Sequence, residues 1–151
     1  MNIPTVPPVG AALPQQHTRS PRQGPLRLYS ALTLVFPLAI VVQVFLAGAG
    51  IFASASWLSS HAQLGHLLPL IPLLMLILGL VGKLPRKVNW LTVLLFVLVY
   101  VQPWFIYISR GIGVPILSAL HPVNALAIFT LPLYLLYRSR LMLRMSKEEQ
   151  H

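Results

Sequence analysis

The chain has 151 residues, of which 56% are hydrophobic and 9% charged, and its formal net charge is +9. An ordinary soluble domain is about 25% charged, and a single domain of this length has too small an interior to hide so much apolar side chain, so lipid is the solvent for much of the protein. The sequence has no cysteine and no aspartate, and its only acids are Glu148 and Glu149. That excludes disulfides, thiolate metal sites and cysteine nucleophiles, and it leaves no carboxylate for a two-acid hydrolase or an intramembrane proton relay.

Residues 1–25 hold six prolines and no sustained apolar period, so residues 1–27 read as a disordered, proline-rich arm. Four apolar runs follow, at about 28–55, 62–82, 90–109 and 115–137. Each approaches or exceeds the ~20 residues that cross the hydrocarbon core as a helix. A spanning segment must satisfy its own backbone hydrogen bonds, so the β-branched run LTVLLFVLVY reads as helix and not as strand. The expected fold is all-α: a four-helix transmembrane bundle, up-and-down, followed by a basic tail over 138–151.

The basic residues give the orientation. Arg19, Arg22 and Arg27 precede the first run. Lys83, Arg86 and Lys87 lie between the second and third, and Arg138, Arg140, Arg144 and Lys147 follow the fourth. Arg110 alone lies on the other side. This bias places both termini in the cytoplasm, and it identifies the +9 charge as topological and not as a nucleic-acid footprint. Trp57, Trp90, Trp104, Tyr29, Tyr107 and Tyr137 fall near span ends, as interfacial aromatics do. Ala53-Ser54-Ala55 has the look of a signal-peptide cleavage site. The apolar run before it is longer than the 7–15 residues of a signal sequence, so the first span is expected to stay uncleaved.

The two halves carry a loose repeat. Gln43 is followed by His61 and Gln102 by His121, and LPLIPLL at 68–74 is echoed by FTLPLYLL at 129–136. With a one-residue gap the halves align as helix-Gln, loop, His-helix. This pattern suggests two parallel hairpins related by an axis along the membrane normal. Gln43, Ala47, Gly50 and Ser54 share one face of the first span, which suits either tight helix packing or room for a flat ligand. On the fourth span His121, Asn124 and Pro132 share a face, with Pro122 in the first turn, where its missing N–H costs nothing.

His61 and His121 open the two spans that run inward, so they lie at one depth near the outer leaflet. In an up-and-down bundle these spans are diagonally opposite. Two neutral imidazoles facing each other there suit the axial positions of haem b, with Gln43, Gln102 and Asn124 as surrounding donors and Gly65 and Gly50 as space. His66 lies about 140° round the helix from His61 and reads as interfacial. His17 and His151 belong to the tails. The competing reading is a non-catalytic accessory or scaffold bundle, binding lipid or a quinone, in which the polar groups only join helices.

QVFLAGAGIF in the first span, HAQLGHLL opening the second and ALHPVNAL opening the fourth resemble a family of small bacterial four-span membrane proteins of unknown function. The likeness covers about residues 28–137. Its most specific pieces are His-x-x-x-Gly at His61–Gly65 and His-Pro-x-Asn at His121–Asn124. The histidine placement is also similar to that of haem A synthase and the transmembrane b-type cytochromes, which hold haem between histidines of a four-helix bundle. That second resemblance implies electron transfer with a membrane redox partner or quinone. The spans lack the intramembrane glutamate expected of haem A synthase. No His-Glu-x-x-His signature and no glycine-rich phosphate loop is present.

Overall fold

The computed structural model describes residues 23–148. Most of the proline-rich arm, with His17, Arg19 and Arg22, lies outside the described residues, as does His151. The elements are α1 (Gln23–Phe52), α2 (Ser56–Leu67), α3 (Leu70–Val81), α4 (Arg86–Val101), α5 (Trp104–Gly111), a 3-10 turn (Pro115–Ala119) and α6 (Leu120–Glu148). Among the described residues the fold is all-α, with no strand. The β-branched stretch at 91–100 is helical, as a segment surrounded by lipid has to be.

Three stretches are long and apolar enough to cross a membrane: Gln23–Phe52, Ser56–Val81 (α2 with α3) and Pro115–Ser146. A fourth results if α4 and α5, bent by 40° at their junction, count as one span. Both interruptions have the same cause. Pro69 and Pro103 sit at the starts of α3 and α5, and a proline supplies no N–H to the preceding turn and crowds its carbonyl. The position aligned with Pro103 in the first half is Val44, and α1 continues through it unbroken.

The long helices outrun the apolar runs that identify them. In α1, Leu26 is already buried in the core. α6 carries on through the basic segment to Glu148, with Met142 and Leu143 packed against that core. Its 29 residues make a rod of about 43 Å at ~1.5 Å per residue, against a hydrocarbon thickness of ~30 Å.

Packing arranges the spans at four corners. α1 lies against α2, α3 and, most extensively, α6, while α4 lies against α3 and α6. The second and fourth spans are therefore diagonal to each other. Tyr29, Phe36, Met75, Leu95 and Leu135 are fully buried and fill the centre. The end that carries the α1–α2 loop is looser: α2 has no buried residue, and in α5 only Ser109 is buried.

The two halves share much of their burial pattern. Tyr29, Thr33, Phe36 and Ile40 on α1 correspond to Val88, Thr92, Leu95 and Val99 on α4, each fifty-nine positions later, and all eight are buried. Over residues 61–80 and 121–140 the order of buried, half-buried and exposed positions is identical at every one of the twenty places. Leu68, Pro72, Met75 and Gly79 are matched by Ile128, Pro132, Leu135 and Ser139. A shared burial pattern with different residues means that the two halves pack alike while their side chains differ in volume.

One polar contact crosses the core. The Thr92 hydroxyl donates to the Val88 carbonyl at 2.9 Å, so the Tyr29 hydroxyl, 2.6 Å from Thr92 Oγ1, donates to it. Thr92→Val leaves a buried phenol without a partner. It is expected to cost about 1–2 kcal/mol, whereas Tyr29→Phe, which leaves Thr92 bonded to Val88, is expected to cost about 0.6 kcal/mol. Unfolding midpoints in mixed detergent would check the order of the two.

Candidate functional site

The loose end of the bundle brings together the two histidines that the sequence singles out. The rings of His61 and His121 have centroids 6.1 Å apart and planes inclined at 57°. They come from the diagonal spans and stand at one level. Each is half-buried.

The two are held in the same way. His61 Nδ1 lies 3.0 Å from the Gln43 backbone carbonyl, and His121 Nδ1 lies 3.0 Å from the Gln102 backbone carbonyl. A carbonyl oxygen only accepts, so Nδ1 carries the proton in both rings. In a neutral imidazole the lone pair is then on Nε2. Among the described residues neither Nε2 has a hydrogen-bond partner. A backbone carbonyl on Nδ1 is the usual way of orienting a metal-ligating histidine through its other nitrogen.

Around these bonds the halves diverge. In the second half the Gln102 amide is locked: its Nε2 donates to the His121 carbonyl at 2.8 Å, and its Oε1 accepts from Asn124 Nδ2. The same Asn124 amide donates to the Leu98 carbonyl at 2.9 Å. In the first half the position aligned with Asn124 is Leu64. Gln43 Oε1 is therefore buried with no partner. Its amide nitrogen occupies the space that a side chain at Gly65 would take, since a Cβ there would stand 2.9 Å from Gln43 Nε2. Gly65 thus makes room for the Gln43 amide one turn below His61.

Gly50 does something different. A Cβ at this position would collide with the side chain of Leu58, so Leu58 fills that part of the small-residue face and packs α2 on α1. His66 stands apart from the pair. It is exposed, and its Nδ1 donates to the Ala62 carbonyl of its own helix at 2.6 Å.

Two supporting elements carry no obvious signature in the sequence. Ser109, fully buried, donates to the Val114 carbonyl at 2.8 Å and receives a hydrogen bond from Ser118 at 2.8 Å. These bonds brace the loop that delivers His121. The orphan acceptor of Gln43 becomes visible only when the two halves are aligned and Leu64 is set against Asn124.

Among the described residues no three histidine, cysteine or acidic side chains cluster as a metal site. The site offers two nitrogen ligands and amide donors only. A tetrahedral zinc site draws three or four ligands from the protein, which this pair cannot supply. A metal that brings its own equatorial ligands needs only two. Two metal–nitrogen bonds of ~2.0 Å with an imidazole radius at each end would place ring centres about 6 Å apart; the centroids here are 6.1 Å apart, a separation that is also ordinary for two aromatic rings in contact.

Residues 43–108 match a family described as a family of unknown function (DUF6220). The match covers under half of the chain. It begins at Gln43 and takes in His61, Gly65 and Gln102, and it ends before His121 and Asn124. Over this segment the chain is similar to that family, whose description names no cofactor and no activity. No curated protein and no solved structure matches the chain.

Proposed function

We propose that this chain is an integral protein of the bacterial cytoplasmic membrane, with four spans arranged as two parallel hairpins about an axis along the membrane normal, and that it holds haem b between His61 and His121 for electron transfer or haem sensing. The observation that carries the reading is the imidazole pair: two rings at one level, 6.1 Å apart, each turned by a backbone carbonyl so that Nε2 is free. The shared burial pattern supports the two-hairpin arrangement, with the axis running between the histidines.

Haem supplies four ring nitrogens and an iron that changes oxidation state by one electron. The residues supply the rest. His61 and His121 would hold the iron through Nε2, and the Gln43 and Gln102 carbonyls keep the ring proton on Nδ1. A group held by both histidines would have no open ligand position, which would suit passing an electron and not binding a substrate at the iron. The ten-to-one bias of basic residues supports both termini lying in the cytoplasm, with the histidine level near the outer leaflet.

A second reading has one specific observation in its favour. Leu58 closes the small-residue face at Gly50, as in a bundle whose polar groups serve only to join helices, and such a protein would be an accessory subunit with lipid or quinone as its only ligand. One experiment separates the two. The full chain, expressed with ample haem and purified in detergent, is expected to show a Soret band and a sharp α-band on dithionite reduction. A folded, helical protein without a Soret band, to which added haemin imparts none, removes the haem reading and leaves the accessory bundle.

A further inference from the structure

The end of the bundle opposite the histidines gathers most of the charge. Arg27 stands near the start of α1, Lys83 between α3 and α4, Arg86 and Lys87 in the first turn of α4, and Arg138 and Arg140 on α6. Packing brings these segments together. A Cβ on Gly82 would meet Pro25 Cβ at 3.3 Å, so the α3–α4 turn lies against the beginning of α1. α6 packs along α1, with Met142 and Leu143 against the core cluster that includes Leu26. Arg27, Lys83, Arg86, Lys87 and Arg140 are exposed.

Nothing on the described chain neutralises this collar. The one carboxylate among the described residues is Glu148, at the last residue of α6, and no ion pair is formed among those residues. Two placements also work against the fold. Arg86 and Lys87 put positive charge on the first turn of α4, where the helix dipole favours negative charge. Lys83 has φ +50°, the left-handed conformation that glycine adopts without strain. It occupies the residue after the α3 C-cap, where the Lys83 N–H bonds to the Leu80 carbonyl at 3.1 Å and the Leu84 N–H to the Gly79 carbonyl at 2.8 Å. That is the Schellman geometry in which glycine is the usual residue.

Topology alone needs no such arrangement. Charges that orient spans during insertion act from any position in a short loop and require no ordered backbone. Here Met142 and Leu143 dock the far end of α6 on the core, which holds its arginines on a rigid rod beside the other two segments.

We propose that this collar is a binding surface for anionic phospholipid, whose headgroup phosphates supply the missing counter-charge between the α3–α4 turn and α6. Basic clusters beside the cytoplasmic ends of spans recognise anionic headgroups, each cation contributing about fivefold in affinity. The inference does not rest on the histidine pair and stands or falls without haem.

The test uses the full chain in a neutral detergent. Its thermal midpoint is followed as phosphatidylglycerol or cardiolipin is added, with phosphatidylcholine and inorganic phosphate as separate controls, at low and high salt. The anionic lipids are expected to raise the midpoint, less so at high salt, and the controls are expected to leave it in place. Lys83→Gly is expected to start from a midpoint no lower than that of the wild type, because the strain is relieved, and to need about fivefold more anionic lipid for the same shift. Arg138→Gln with Arg140→Gln gives a second, independent weakening. Equal shifts with phosphatidylcholine, shifts as large with inorganic phosphate, or variants that respond to lipid like the wild type would overturn the proposal.

Discussion

His61→Ala and His121→Ala are each expected to weaken haem binding by more than the 10–100-fold that follows loss of a supporting partner, because each removes a ligand outright. Titration of haemin into the purified variants, followed by the reduced α-band, measures this directly. Circular dichroism on the same samples separates loss of the site from loss of the fold. The surrounding bonds make the prediction sharper. The groups that hold the two rings are the backbone carbonyls of Gln43 and Gln102, so Gln43→Leu keeps the carbonyl and the tautomer, and is expected to bind haem within a few-fold of the wild type. His66→Ala, which removes a ring bonded only to its own helix, is expected to change nothing. Should His61→Ala keep the full band, the ligand pair is not the one proposed.

The second large effect concerns the difference between the halves. Asn124 ties the Gln102 side chain to the Leu98 carbonyl. Asn124→Leu leaves Gln102 Oε1, on a half-buried residue, without its donor, as the more deeply buried Gln43 Oε1 already stands. Leaving such a group unsatisfied costs about 1–3 kcal/mol, with the lower part of that range expected between membrane helices. Leu64→Asn is the mirror experiment. It places an amide at the aligned position, one residue before Gly65, where the Gln43 amide is received. It is expected to stabilise the protein, or to cost well under what Asn124→Leu costs. Unfolding in sodium dodecyl sulfate titrated against a mild detergent would rank the two variants. If they destabilise equally, the halves are not equivalent around the glutamines, and the alignment that pairs Leu64 with Asn124 fails.

Much of the helical architecture was legible because lipid makes strong demands on a chain. A run such as that around Phe36 or Leu95 must be helical, and its length announces it. The ends were less legible. Leu26 and Met142 pack on the core from beyond the apolar runs, and no hydropathy signal marks a helix that continues after the lipid stops. The interruptions at Pro69 and Pro103 were open to either outcome, since Pro37 and Pro132 lie inside unbroken helices. The histidines could be found from their aligned positions in the two halves. Which nitrogen each ring presents could not, because that depends on where the Gln43 and Gln102 carbonyls end up in space. Gly50 and Gly65 looked alike as small residues on polar faces. One admits a leucine and the other an amide, a distinction that belongs to the packing partner and not to the glycine.

The burial pattern shared by residues 61–80 and 121–140 makes this chain resemble a homodimer whose protomers have been fused. Each hairpin contributes one histidine, so the paired site lies across what would be a subunit boundary, and neither hairpin contains it alone. A covalent link between the halves leaves them free to differ. A true two-fold dimer would carry Leu64 or Asn124 twice, Val44 or Pro103 twice, and would meet whatever lies between its histidines with two identical walls. The covalent version presents one wall braced by amides and one left unbraced, and so gives a symmetric histidine pair a front and a back.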